Sequence, residues 1–350
     1  MIHFLLRRSF EYTIEDFLKQ GGSAIAGSCR ILTYEDALCA SDFASGVYVF
    51  TDLERLSLAE RQLAAQLWNR LTAEPDVSAL NHPTTSLTRY DLLRKLEVEG
   101  INSFKARRAT GQDVEEVEFP VFLRREDNHD GPITPLISSR TELMTQIVRL
   151  RMNGYDLDKV IAVEFCDASD DQGVFTKYGA YILRDRILPR HLWFSKEWVV
   201  RSGTPIEASR AEQETKYVRE NPHAETIRSI ATLAGIEYGR IDFTLKDGRV
   251  QVWEINTNPH IQWSKDRWDP LPDERKKRES KFFAAFGALL SSLDHPHERT
   301  FAIRPVLASP MPVPHVSLDG VTRSRLQGKF ARLSYETQMK IARLFRAFSR

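Results

Sequence analysis

One stretch constrains this chain more than any other: Tyr238 to Pro259, Y-G-R-I-D-F-T-L-K-D-G-R-V-Q-V-W-E-I-N-T-N-P. It reads as two strands joined by a tight turn at Lys246-Asp247-Gly248, because glycine takes the positive φ that closes such a turn. Three oxygen-bearing side chains lie along it: Asp242, Glu254 and Asn256. Register decides whether they meet. A two-residue loop at Asp247-Gly248 sets Asp242 opposite Trp253 and sends Glu254 and Asn256 to the other face. A three-residue loop with Gly248 left-handed sets Leu245 opposite Arg249 and Asp242 opposite Val252. Side chains alternate with a period of two, so Glu254 and Asn256 then share the face of Asp242. The three-residue register is the expectation. Two carboxylates and an amide on one face suit Mg²⁺, which takes oxygen ligands and completes its shell with substrate phosphates.

The remainder of the composition narrows the class. Lys and Arg (49) balance Asp and Glu (48), so no global field selects nucleic acid or a membrane as partner. No run approaches the ~20 apolar residues that span a bilayer. The start, Met1-Ile-His-Phe-Leu-Leu-Arg-Arg, places its charge after the apolar run, the reverse of a secretory signal. Cys29, Cys39 and Cys166 are too few and too scattered for a disulfide framework or zinc site. A reduced, cytoplasmic protein is the expectation. No G-x-G-x-x-G or Walker-type phosphate loop occurs, against a Rossmann or P-loop enzyme.

Asp242 followed by Glu254-Ile255-Asn256-Thr257-x-Pro259 resembles the metal-binding end of the ATP-grasp superfamily, which includes D-alanine–D-alanine ligases and glutathione synthetases. The resemblance covers roughly residues 80 to 260. It implies that Asp242, Glu254 and Asn256 hold Mg²⁺ bridging the phosphates of ATP. It also implies an α/β (α+β) fold: an N-terminal parallel α/β subdomain and two α+β subdomains that clasp ATP. The corresponding boundaries are 1–103, 104–163 and 164–300, with a Pro-rich linker and C-terminal helix over 301–350.

Read in order, Val47–Phe50 and Val77–Leu80 are short buried-strand runs with a helical stretch between them carrying Leu56, Leu63, Leu67 and Trp68. Strand–helix alternation implies a parallel sheet. The next helix carries Leu92, Leu93 and Leu96 on one face and ends at Gly100. Arg89, near its start, falls where the family places an ATP-contacting lysine. Phe119-Pro-Val-Phe-Leu-Arg-Arg125 is a strand entering the polar loop Glu126–Gly131. It resembles the family strand whose lysine binds nucleotide phosphates, with Arg124 in that place and His129 in the covering loop. Arginine keeps a permanent charge and a fork that matches phosphate oxygens. The loop departs from the pattern by holding one glycine rather than several. Ser139-Arg-Thr-Glu142 is a capping box opening a packing helix.

Val160–Phe165 is a buried strand entering what the resemblance makes the adenine hinge, at Glu164, Phe165 and Cys166. Asp167, Asp170 and Asp171 fall where ribose hydroxyls are met, and Asp171 is carried forward. Lys177, in the hairpin beginning at Phe175, lies near the family's phosphate-facing cation. Arg190 and His191 open a following strand, residues 205–220 read as a surface helix, and Asn221-Pro222 starts a helix ending at Gly235. Beyond Ile261 come a basic cluster (Arg275–Arg278), an amphipathic helix (Phe282–Leu293), an extended linker (304–315) and a last helix from Leu326 that packs on the body or a partner.

ATP-grasp enzymes phosphorylate a carboxylate to an acyl phosphate, which an amine attacks. The resemblance therefore implies a carboxylate–amine ligase using ATP and Mg²⁺, with Arg124 and Glu254 as its catalytic residues. A small-molecule or peptide carboxylate and an amine acceptor are the implied partners, without nucleic acid or membrane, and a homodimer matches family habit. A phosphotransferase acting on a hydroxyl and a non-catalytic nucleotide-binding protein are the alternatives.

Overall fold

The computed structural model describes residues 1–201, 208–262, 265, 273–294 and 299–309. The linker beyond 309 and the helix from Leu326 lie outside the described residues. Met1–Ala308 clusters as one unit.

Strands β1 (Ile2–Leu6), β2 (Cys29–Thr33), β4 (Gly46–Phe50) and β5 (Val77–Leu80) form a parallel sheet in the order β2-β1-β4-β5. Every residue of β1 and β4 is buried, as in a parallel sheet covered on both faces. The apolar run that opens the chain is thus a central strand. Helices α1 (Tyr12–Leu18), α2 (Tyr34–Ala37) and α3 (Leu58–Thr72) accompany it. Ser57 and Glu60 form a capping box at the start of α3. The short β3 (Asp42–Ala44) pairs with β13 (Thr300–Ala302), a pairing across more than 250 residues that local patterning does not reveal.

Helix α4 (Arg89–Val98) is capped by the Thr88 side chain, which accepts from the Asp91 backbone N–H and sets Arg89 at the first helical position. A small antiparallel sheet follows, β6 (Ala106–Arg108), β7 (Val121–Arg125) and β8 (Val160–Glu164), in the order β6-β8-β7. Helix α5 (Arg140–Met152) packs on it through Leu143, Ile147 and Leu150, against Val121, Leu123, Val160 and Ala162.

The third sheet is antiparallel, in the order β10-β9-β11-β12, from β9 (Phe175–Leu183), β10 (Arg186–Ser195), β11 (Tyr238–Lys246) and β12 (Arg249–Asn256). Strand β10 joins what reads in sequence as a hairpin arm and a separate later strand; the register shifts between Pro189 and His191. One face carries Ile182, Ile241, Phe243 and Val252, in one core with Ile227 and Ile230 of α7 (Ala224–Ala234) and Tyr217 of α6 (Ala208–Glu220). Burial of Glu214 and Tyr217 makes α6 a packed rather than purely surface helix. Helix α8 (Asp273–Ser291) includes the basic cluster; its Phe282, Phe286 and Leu290 share a core with Phe4, Phe17 and Tyr181. The parallel sheet, the small antiparallel sheet and the hairpin sheet follow one another in the order the sequence resemblance implies.

Candidate functional site

The β11–β12 hairpin turns differently from the expected register. Lys246 pairs with Arg249, so the loop has two residues, Asp247 and Gly248, at φ 52° and 74°. That is the geometry of a type I′ turn, which Asp-Gly suits. A bulge then restores the grouping: Phe243 pairs with Val252 but Asp242 pairs with Glu254, leaving Trp253 as the extra residue. The Trp253 ring stacks on Phe104, centroids 5.1 Å apart. Arg240 pairs with Asn256, so Asp242, Glu254 and Asn256 share one face by a route the sequence reading did not foresee.

Three further elements converge on that face. Arg124 of β7 donates from Nη2 to Glu254 Oε2 at 2.7 Å. Arg89 of α4 reaches the same oxygen, also at 2.7 Å. Arg89 is further fixed by donating from Nη1 to the carbonyls of Arg125, Glu126 and Asn128, at 3.0, 2.9 and 2.6 Å. His129 Nδ1 lies 3.0 Å from Arg89 Nη2, and its Nε2 lies 2.8 Å from Glu54 Oε1. Glu54 also accepts from the Thr257 hydroxyl. At Asp242, Arg240 donates from Nε at 2.8 Å and Nη2 at 3.1 Å, and Lys177 Nζ of β9 lies 3.5 Å away. Asn256 Oδ1 accepts from the backbone N–H of Asn258 at 2.8 Å.

Burial sharpens these pairings, because charges removed from water must find partners. For Glu254, burial opposes ionisation, yet Arg89, Arg124 and then His129 hold its pKa well below the usual carboxylate range. Burial, with Arg89 alongside, pulls Arg124 down to about 10 despite Glu254. Burial likewise opposes the charge of Arg240, but Asp242, together with Tyr181 and Glu254, more than offsets it and raises the guanidinium pKa. Glu54 is held down to about 2: burial works against its charge, while His129, Arg55 and Thr257 prevail.

The donor chemistry fits Mg²⁺, with two facing carboxylates and a nearby amide. Among the described residues no group of three or more His, Cys, Asp or Glu side chains forms a ready-made cage, and Mg²⁺ ordinarily keeps water and phosphate oxygens in its shell. The carboxylates are held by guanidinium and ammonium groups, so a metal held by them would have to displace those cations.

The residues read from sequence thus divide. Arg89, Arg124, His129, Lys177, Asp242, Glu254 and Asn256 come together. Glu164 accepts from the backbone N–H groups of Lys105 and Glu118, at 2.8 and 2.7 Å, and so ties the small sheet together. Phe165 packs against Phe175 and Trp198. Cys166 is buried beside Ser103, and burial raises its thiol pKa. Asp171 is exposed in the turn after β8. Nearby, Arg190 pairs with Glu279 and His260 Nε2 lies 3.0 Å from Asp16 Oδ2. Sequence reasoning passed over Arg240, Glu54 and Thr257. Arg240 had a signal: two residues before Asp242 on one strand, it shares that face.

No family model matches the chain, and no curated protein matches it. Among solved structures, D-alanine–D-alanine ligase from Bacillus anthracis complexed with ATP aligns at 12% identity and TM-score 0.45, over 82% of this chain and 99% of the ligase. A RimK domain ATP-grasp protein from Sphaerobacter thermophilus aligns at 14% identity and TM-score 0.45, over 82% and 100%. The ATP-grasp ligase PsnB, complexed with a phosphomimetic variant of a minimal precursor, Mg and ADP, aligns at 12% identity and TM-score 0.47, over 82% and 96%. The strands, in the order and pairing given above, set the acidic face of the hairpin against α4 and β7.

Proposed function

We propose that the chain is an ATP-dependent ligase that activates a carboxylate, on a small molecule or a peptide, as an acyl phosphate for attack by an amine. The observation that carries this reading is the convergence of Arg89, Arg124, Lys177 and Arg240 on the Asp242/Glu254 face. Phosphoryl transfer asks mainly for positioning and for compensation of charge on the transferred group. Mg²⁺ held by Asp242, Glu254 and Asn256 would neutralise phosphate charge. Arg89 and Arg124 orient the phosphate oxygens, and Lys177 meets them from β9. The substrate carboxylate oxygen attacks the γ-phosphorus and ADP leaves. The amine then attacks the acyl carbon, phosphate departs, and the amine gives up a proton. No side-chain nucleophile is needed.

The test is ADP release in the presence of Mg²⁺ across panels of carboxylates and amines, with hydroxylamine added to trap an activated acyl group. Glu254→Gln is expected to lower Mg²⁺-dependent ADP release at least a hundredfold, and unchanged turnover would sink the assignment. ADP release without hydroxamate points to a hydroxyl acceptor instead. A second reading, nucleotide binding without chemistry, draws support from one observation: both site carboxylates are already neutralised by the chain's own cations. Tight Mg·ATP binding with no turnover on any panel would favour it.

A further inference from the structure

Lys177 is a long, flexible cation whose approach to Asp242 is a single contact of 3.5 Å, so something other than Asp242 must fix its direction. In the ladder Lys177 stands opposite Trp193, and its Nζ lies 4.7 Å from the centre of the indole. The same indole is held by a second ring: the His191 imidazole lies parallel to it, centroids 3.7 Å apart at 9°. His191 in turn pairs with Gly179, and Gly179 with Asp242, so one transverse row leads from the imidazole to the acidic face. A Cβ on Gly179 would fall 2.4 Å from His191 Cε1 and 2.6 Å from Nε2; only glycine leaves the imidazole its berth.

We infer that Trp193 is a positioning residue: its ring is the platform that aims Lys177 at Asp242 and at the phosphates bound there. The role rests on the proposed reading of Lys177 as a phosphate contact. Tryptophan offers the most favourable aromatic face to a cation. The ring stacked on it has to be uncharged, since an imidazolium so close would oppose the ammonium. His191 meets that condition. Burial first, and then Arg240, Lys177, Arg190 and Arg275, push its pKa well below the ordinary histidine value.

A double-mutant cycle on Mg·ATP affinity, read by calorimetry on the full chain, tests this. Trp193→Leu is expected to weaken binding about tenfold and Trp193→Phe, which keeps an aromatic face, distinctly less. Trp193→Leu/Lys177→Ala is expected to bind no more weakly than Lys177→Ala alone, because the platform acts only through the lysine. Losses that add would overturn the inference. A second readout needs no nucleotide. In protein with ¹³C-dimethylated lysines, the Lys177 resonance, assigned by Lys177→Arg, should be ring-current shifted in the wild type and move to the bulk lysine position in Trp193→Leu. An unshifted wild-type resonance overturns the platform outright. If wild-type protein binds no Mg·ATP, the ligase reading falls, and this resonance alone decides the role of Trp193.

Discussion

Asn81 sits at φ 63° with no exposed surface, and its amide makes four hydrogen bonds. It donates to the carbonyls of Phe50 and Tyr238, at 3.0 and 2.8 Å. It accepts from the backbone N–H groups of Glu237 and Tyr238, at 2.8 and 2.9 Å. The end of β4 is thereby tied to the start of the strand that carries Asp242. Asn81→Ala should cost roughly 3 kcal/mol or more, since several buried backbone groups lose partners and alanine resists the left-handed conformation. Urea denaturation checks it, and a loss under about 1 kcal/mol would contradict the clamp. None of this is legible in Asn81-His-Pro-Thr-Thr, because the partners lie 31 and more than 150 residues away. Glu54 and Thr257 were hidden for the same reason. Asp242, Glu254 and Arg124 were legible because each stands in a local strand pattern. At Glu164 that pattern gives the strand end but not the backbone groups of Lys105 and Glu118 that engage its carboxylate.

The elements themselves follow closely from short-range chemistry. Strands β4, β5, β7 and β8, the cap of α5 at Ser139, and the end of α7 at Gly235 fall where apolar runs, caps and glycines put them. The hairpin shows where that chemistry stops. Asp247-Gly248 announces a turn but not its length, and Trp253 bears no mark of a bulge; its extra place in the strand is filled by stacking on Phe104, a tertiary contact. Gly248→Ala should destabilise the protein by about 1 kcal/mol, because its φ is 74°. No atom lies within 4 Å of the added methyl group, so the Mg·ATP affinity that the proposed function requires should be unchanged. A fall in affinity matching the fall in stability would mean that the turn, not the bulge, sets the acidic pair.

For the molecule as a whole, acid stability is set partly in the parallel sheet. His3 of β1 stacks on Tyr48 of β4, centroids 4.3 Å apart, and burial pushes its pKa from 6.5 down to about 4. The unfolded chain therefore binds this proton first as pH falls. Stability is fully present above pH 6.5 and is lost between 6.5 and 4, by up to about 1.4 kcal/mol per pH unit. Urea midpoints across that window should fall less steeply in His3→Phe; parallel slopes would refute the assignment. A different property follows from the pairing at the acidic face. Arg89, Arg124, Lys177 and Arg240 are set against Glu54, Asp242 and Glu254, and the chain as a whole carries a net charge of +1. So nearly balanced a face casts little field beyond a Debye length. On the proposed reading, an anionic nucleotide arrives by ordinary diffusion, with an association rate almost indifferent to ionic strength. Discrimination between ligands falls to how slowly each one leaves.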